Sequence, residues 1–165
     1  MRSACFTGHR VLTGNINEIE KKLLGMLEKM ITEEDYSVFF AGGAVGWDTL
    51  AAEAVLKLRG IYPHISLCLI LPCPAEEQTL KWSSSQRRRY MDILMQADKT
   101  EYISDHYTDS CMKERNLRLI EYSDCCICFH NDKIKHSGTY QTIKMAQKKN
   151  IPVINLYSED YGSPE

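Results

Sequence analysis

Ser37-Val38-Phe39-Phe40-Ala41-Gly42-Gly43-Ala44-Val45-Gly46-Trp47-Asp48-Thr49-Leu50-Ala51 decides the fold. Ser37 to Ala41 is β-rich, three glycines then open the backbone, and Leu50, Ala51, Ala54, Val55 and Leu58 recur at the spacing of one helix face. A strand turning straight into a helix is half of a βαβ unit. The alternation continues on both sides. Upstream, Ser3-Ala4-Cys5-Phe6 reads as a strand, and Ile16, Ile19, Leu23, Leu27 and Met30 mark one buried face of a helix over 16–31. Asn15 with Glu18 predicts a capping box at its start. Downstream, Ile65 to Leu71 is nearly apolar throughout, as a central parallel strand covered on both faces must be, and Pro72 and Pro74 end it.

The same reading predicts helices over 83–97, 112–122 and 139–149, and strands over 101–103, 124–129 and 152–156. Strands alternating with helices along the whole length predict an α/β fold: a Rossmann-like three-layer sandwich with a mainly parallel sheet and helices on both faces. One domain is expected over 1–157, followed by a loosely ordered tail over 158–165.

Composition narrows the function classes. In a chain of 165 residues about 70% of the unfolded surface is buried on folding, enough for a core without staples. Twenty Lys and Arg face 22 Asp and Glu, so no global field draws in nucleic acid or anionic membrane, and neither is expected as a partner. The longest apolar run falls far short of the ~20 residues of a membrane span. Seven cysteines, an odd number, with no leader-like opening predict a reduced, cytoplasmic setting.

In an open parallel sheet ligands bind outside the carboxyl ends of the strands, where helix N-termini point free amides at anions. After the first strand comes Thr7-Gly8-His9-Arg10, read either as a surface turn or as a hydroxyl, an open backbone and two donors for a phosphate or carboxylate. After the second strand, Gly42, Gly43 and Gly46 suit a phosphate cradle, although the spacing matches neither the dinucleotide fingerprint nor a Walker A loop. Asp48 has two readings, a helix N-cap or a partner for ribose hydroxyls. Trp47 likewise either packs or stacks on a base. Ser137-Gly138-Thr139, directly before a helix, is an N-cap or a second anion site facing the glycine loop.

Taken together, Cys5-Phe6-Thr7-Gly8-His9-Arg10 and Ala41-Gly42-Gly43-Ala44-Val45-Gly46-Trp47-Asp48 with Ala51-Ala52-Glu53 resemble the YpsA-like branch of the SLOG superfamily, which relates DprA-type and LOG-type proteins. The resemblance runs in order through Leu71-Pro72-Cys73-Pro74, Gln86-Arg87, Tyr90, Arg115-Asn116, Ser123-Asp124 and Ser137-Gly138-Thr139 to Ile151-Pro152-Val153. It implies a Rossmannoid binding a nucleotide-derived ligand such as ADP-ribose, NAD or a nucleoside phosphate. It also implies a connection with bacterial cell division or stress signalling, a homodimer and a regulatory protein partner. Carried over by position, Thr7, Gly8, Arg10, Gly42, Gly43, Gly46, Asp48, Gly138 and Thr139 would line the pocket, with Arg115 and Asn116 as further candidates. No catalytic residue is assigned. LOG-like phosphoribohydrolases carry a Glu after the Gly-Thr pair, whereas Tyr140-Gln141-Thr142 follows here. An N-glycosidic hydrolase or transferase therefore stands as an alternative that would need Asp48, Glu53 or Asp124 as its carboxylate.

Three further groups have competing readings. Cys125-Cys126-Ile127-Cys128 puts only Cys126 and Cys128 on one strand face, two ligands short of a zinc site, so packing is expected rather than metal binding. Cys73 is a packing residue or a reactive thiol at the pocket edge. Arg87-Arg88-Arg89 is a solvated helix face or, with Trp82 nearby, a phosphate clamp or a single-strand contact of the DprA kind.

Overall fold

The structure is a computed structural model and describes residues 1–164. It contains β1 (Arg2–Gly8), α1 (Ile16–Glu33), β2 (Tyr36–Ala41), α2 (Trp47–Arg59), β3 (Ser66–Leu71), a short α3 (Ala75–Gln78), α4 (Ser84–Gln96), β4 (Lys99–Tyr102), α5 (Cys111–Glu121), β5 (Cys125–Phe129), α6 (Gly138–Lys148) and β6 (Val153–Asn155). The strands form one sheet in the order β4-β3-β2-β1-β5-β6. Every neighbouring pair is parallel. The expected three-layer α/β sandwich is therefore the observed one.

Alternation along the strands sorts their side chains between two layers. Ala4 and Phe6 of β1, Phe39 of β2, Leu67, Leu69 and Leu71 of β3, and Ile127 and Phe129 of β5 meet the side covered by α1, α2 and α4. Cys5, Ile70 and Cys126 point the other way, against Leu119, Ile120 and Ala146 of α5 and α6. α1 buries Ile19, Leu23, Leu27, Met30 and Ile31, each worth roughly 1.5–3 kcal/mol when withdrawn from water. All seven cysteines are free and buried, and among the described residues no group of His, Cys, Asp and Glu could hold a metal ion. No described helix is long and apolar enough to cross a membrane.

Local departures from the sequence reading have identifiable causes. Asn15 accepts a hydrogen bond from the Glu18 amide (3.2 Å), but the Glu18 carboxylate turns to the Gly162 amide instead of closing the capping box. A full capping box forms at Ser83 and Gln86. α3 is too short to show a periodic apolar face, and none of its residues is buried. After β6, Tyr161 donates to the Leu156 carbonyl (2.6 Å) and stacks on Phe129, and Asn15 donates to the Ser163 carbonyl. These contacts press the segment onto α1 and β5.

Candidate functional site

Strand order places the site. The chain lays β2, β3 and β4 on one side of β1 and then crosses to put β5 and β6 on the other, so the loops at the carboxyl ends of β1 and β5 diverge and leave a crevice. A cleft of about 360 Å³ opens there. Its walls include Thr7 and Gly8 at the end of β1, His9 and Arg10 just after it, Ala44 and Asp48 at the glycine loop, Met112, Arg115 and Asn116 on α5, and Ser137, Gly138 and Thr139 at the start of α6. Ten of the residues singled out from sequence thus meet in one cavity. Ala44 and Met112 also line it; neither carries a chemical signature by which sequence could have found it.

The cleft is electropositive although the whole chain carries −2. The Arg10 side chain is exposed and has no hydrogen bond or ion pair within the described residues. Arg115 is buried, 4% exposed; its Nη1 donates to the Gly42 carbonyl and its Nε to Asn116 Oδ1 (2.8 Å). At α6 the Ser137 hydroxyl accepts from the Tyr140 amide (3.0 Å), and the first intrahelical bond runs from Gln141 to the Ser137 carbonyl. The amides of Gly138 and Thr139 precede that bond and remain at the positive end of the helix. Against these stands one carboxylate. Asp48 Oδ2 accepts from the Ala44 amide (3.2 Å), and burial pushes its pKa up to about 6 against the opposing pull of Arg115, that amide and Arg10.

Four expected ligand contacts lie elsewhere. Trp47 has no exposed surface: it stacks on Phe129 and donates Nε1–H to the Ile127 carbonyl (3.3 Å), so it packs in the core and cannot meet a base. Gly42, Gly43 and Gly46 do not line the cleft. A Cβ at Gly42 would meet Arg115 Nη1 at 2.7 Å; at Gly43 and Gly46, both with positive φ, it would collide with Leu71 and with the Arg10 backbone. Two of the amides here are also taken, Ala44 N–H by Asp48 and Trp47 N–H by the His9 carbonyl (3.1 Å). The glycine loop therefore packs closely and seats Asp48 and Arg115, with its three glycines outside the lining of the cleft. Gly8 belongs to both descriptions: it borders the cleft and lies directly on Trp47.

His9 also differs from its expected use as a donor. Its Nε2 accepts from the Asn131 amide (2.9 Å), which requires that nitrogen to be unprotonated, and burial together with neighbouring His130 lowers its pKa. It ties the β1 loop to the loop that leads into α6.

Of the three carboxylates that could serve glycosidic chemistry, only Asp48 reaches the cleft. Asp124 accepts from the Ser3 amide (2.9 Å) at the amino end of the sheet, and Glu53 is held by both Nε and Nη2 of Arg89. Cys73 is fully buried, and burial raises its pKa, which removes the thiolate a reactive cysteine needs.

A parallel α/β sheet with a polar cleft at its switch point defines a Rossmann-like domain. The YpsA family model, described as the YspA SLOG family, matches residues 11–159, and the chain belongs to that family. Among curated bacterial proteins it is 28% identical over 143 residues to the SPbeta prophage-derived protein YoqJ of Bacillus subtilis, covering 79% of this chain and 81% of that one. A UPF0398 protein of Halalkalibacterium halodurans is also 28% identical over 143 residues, with 86% and 71% covered. Among solved structures, DNA processing protein A from Helicobacter pylori superposes with a TM-score of 0.67 at 20% identity, over 98% of this chain and 68% of that one. The structural-genomics target TM1055 gives 0.58 at 16% identity, over 99% and 77%.

Proposed function

We propose that this protein binds a phosphorylated nucleoside derivative, of the ADP-ribose, NAD or nucleoside-phosphate class, in the cleft between the ends of β1 and β5, and acts as a regulatory binding protein rather than a hydrolase. One observation carries the reading: unpaired Arg10, buried Arg115 and the open start of α6 converge on a single cavity holding one carboxylate, whose burial favours the neutral form. Arg10 is the mobile phosphate ligand, the amides of Gly138 and Thr139 are the fixed ones, and Arg115 supplies charge from below. Asp48 already holds the Ala44 amide, and among the described residues lining the 360 Å³ cleft there is no second carboxyl to complete an acid–nucleophile pair.

Calorimetric titration with ribose 5-phosphate, ADP-ribose and NAD at low salt tests this. Binding that weakens at least about 10-fold in Arg10→Ala, the loss of one charge-assisted contact, is expected. Absence of binding by the intact protein at millimolar ligand would refute it.

Single-stranded DNA is the second reading. It is favoured by the structural likeness to DNA processing protein A, solved for its single-stranded DNA binding mode, and by exposed Arg87 and Arg88, which have no ion-pair partner among the described residues. Arg89 is unavailable because Glu53 holds it. Tight binding of oligodeoxythymidylate that falls steeply with salt, and that Arg87→Ala and Arg88→Ala weaken while Arg10→Ala does not, would put this reading first.

A further inference from the structure

We infer that a second, larger compartment beside the cleft takes the planar, purine-sized base of the same ligand, with Trp82 as its stacking wall. The inference rests on the proposal that the smaller compartment takes phosphate. The larger space measures about 840 Å³ and shares Arg10, Ala44 and Met112 with the 360 Å³ cleft, so the two are halves of one groove that meet at the Arg10 side chain. Their linings differ in kind. The small half holds Arg115, the hydroxyls and the helix amides; the large half is walled mainly by Val45, Pro72, Leu80, Trp82, Tyr107 and Met112, with Glu77, Gln78 and Lys81 as its polar residues. Orthophosphate or a bare sugar phosphate fills only the first. A groove whose polar end merges at an arginine into an aromatic and aliphatic end matches a base joined through ribose to a phosphate.

The aromatic wall is held in place. Trp82 is half-buried and meets Tyr90 edge-to-face, ring centroids 5.5 Å apart, and Tyr90 in turn donates to Gln78 Oε1 (3.2 Å). Gln78 Nε2 donates to the Gly43 carbonyl (3.1 Å), which pins α3 over the glycine loop. On the opposite side Glu77 accepts from the Tyr107 amide and so draws the loop before α5 toward the same space. Leu80 and Tyr107 nevertheless remain 70% and 59% exposed, apolar surface at the mouth that a seated base would cover.

The two tryptophans provide the readout. Trp47 is sealed in the core, so a fluorescence change on binding reports Trp82. We expect AMP to bind about 10-fold or more tighter than ribose 5-phosphate, the effect of one stacked base, and to quench emission where ribose 5-phosphate does not. In Trp82→Ala the AMP affinity should fall to that of ribose 5-phosphate, which itself stays unchanged; this unchanged affinity also reports that the variant is folded. Trp82→Phe should keep AMP binding within about 3-fold while abolishing the quench. If ribose 5-phosphate binds and AMP binds no tighter, or if Trp82→Ala leaves the AMP advantage intact, the base compartment is refuted while phosphate capture stands. If neither ligand binds, both ideas fall.

Discussion

Asp48→Asn separates the two forces acting on the one carboxylate that lines the cleft among the described residues. Burial raises the Asp48 pKa from 3.8 to about 6, although Arg115 and Arg10 oppose it. Because the folded pKa lies above the unfolded one, the native state holds this proton more tightly. The associated stability is complete below about pH 4 and is lost as the pH rises through 6. Roughly two units at 1.36 kcal/mol each correspond to about 3 kcal/mol, the amount by which ionised Asp48 weighs on the fold at pH 7. Asparagine resembles protonated aspartate in shape and can still accept from the Ala44 amide. The stability difference between variant and wild type should therefore shift by about 3 kcal/mol in favour of asparagine between pH 4 and pH 7.5. Urea unfolding at half-unit pH steps measures it, and titrations common to both proteins cancel in the difference. A pH-independent difference, or one moving in favour of aspartate as pH rises, would mean that the arginines outweigh burial, and the electrostatic account of the cleft would fail. The same sign has a functional corollary: a bound phosphate favours neutral Asp48, so anion affinity should increase as the pH drops through 6 and binding should take up protons.

Gly8→Ala places a methyl group against the sealed Trp47 ring, which stacks on Phe129. Overpacking of this kind should cost about 1–3 kcal/mol in urea unfolding and expose Trp47, seen as a red shift in its emission. Arg115→Met removes the donor to the Gly42 carbonyl and the charge opposite Asp48, leaving a buried carboxylate uncompensated. Destabilisation of about 3–5 kcal/mol at pH 7 is expected, smaller at pH 4 where Asp48 is neutral; equal losses at both pH values would refute the pairing. Burial pushes the Cys125 thiol up to about 11 and the Cys128 thiol up to about 12. A thiol reagent at pH 8 should therefore modify the native protein slowly and react with all seven cysteines once denatured; rapid native labelling would contradict the burial described above.

Most of the architecture was legible because it rests on local periodicity. The apolar spacing of α1, the continuous apolar run of β3 and the glycine turn between β2 and α2 each state their element within a few residues. The short α3 was not legible, since a single turn has no period to detect. Capping was readable only in part: Asn15 behaved as expected, but the partner of Glu18 comes from residue 162, far away along the chain. Site residues divided the same way. Thr7 and Arg10 at the end of β1 and Ser137, Gly138 and Thr139 at the start of α6 reach the cleft as their chain position suggests, whereas nothing local showed that Trp47 and the three glycines lie outside its lining.

Sequence alone determined the alternating α/β order, the parallel sheet and the carboxyl-edge loops, because backbone geometry and hydrophobic period are properties of neighbouring residues. Only the tertiary structure decided what those loops do. It brought Arg115 from α5 under Gly42, committed the Ala44 and Trp47 amides to Asp48 and His9, sealed Trp47 beneath Gly8, and set the Trp82 wall beside Arg10. Each of these depends on which surfaces meet when strands distant in sequence become neighbours, and that adjacency follows from the crossover between β1 and β5.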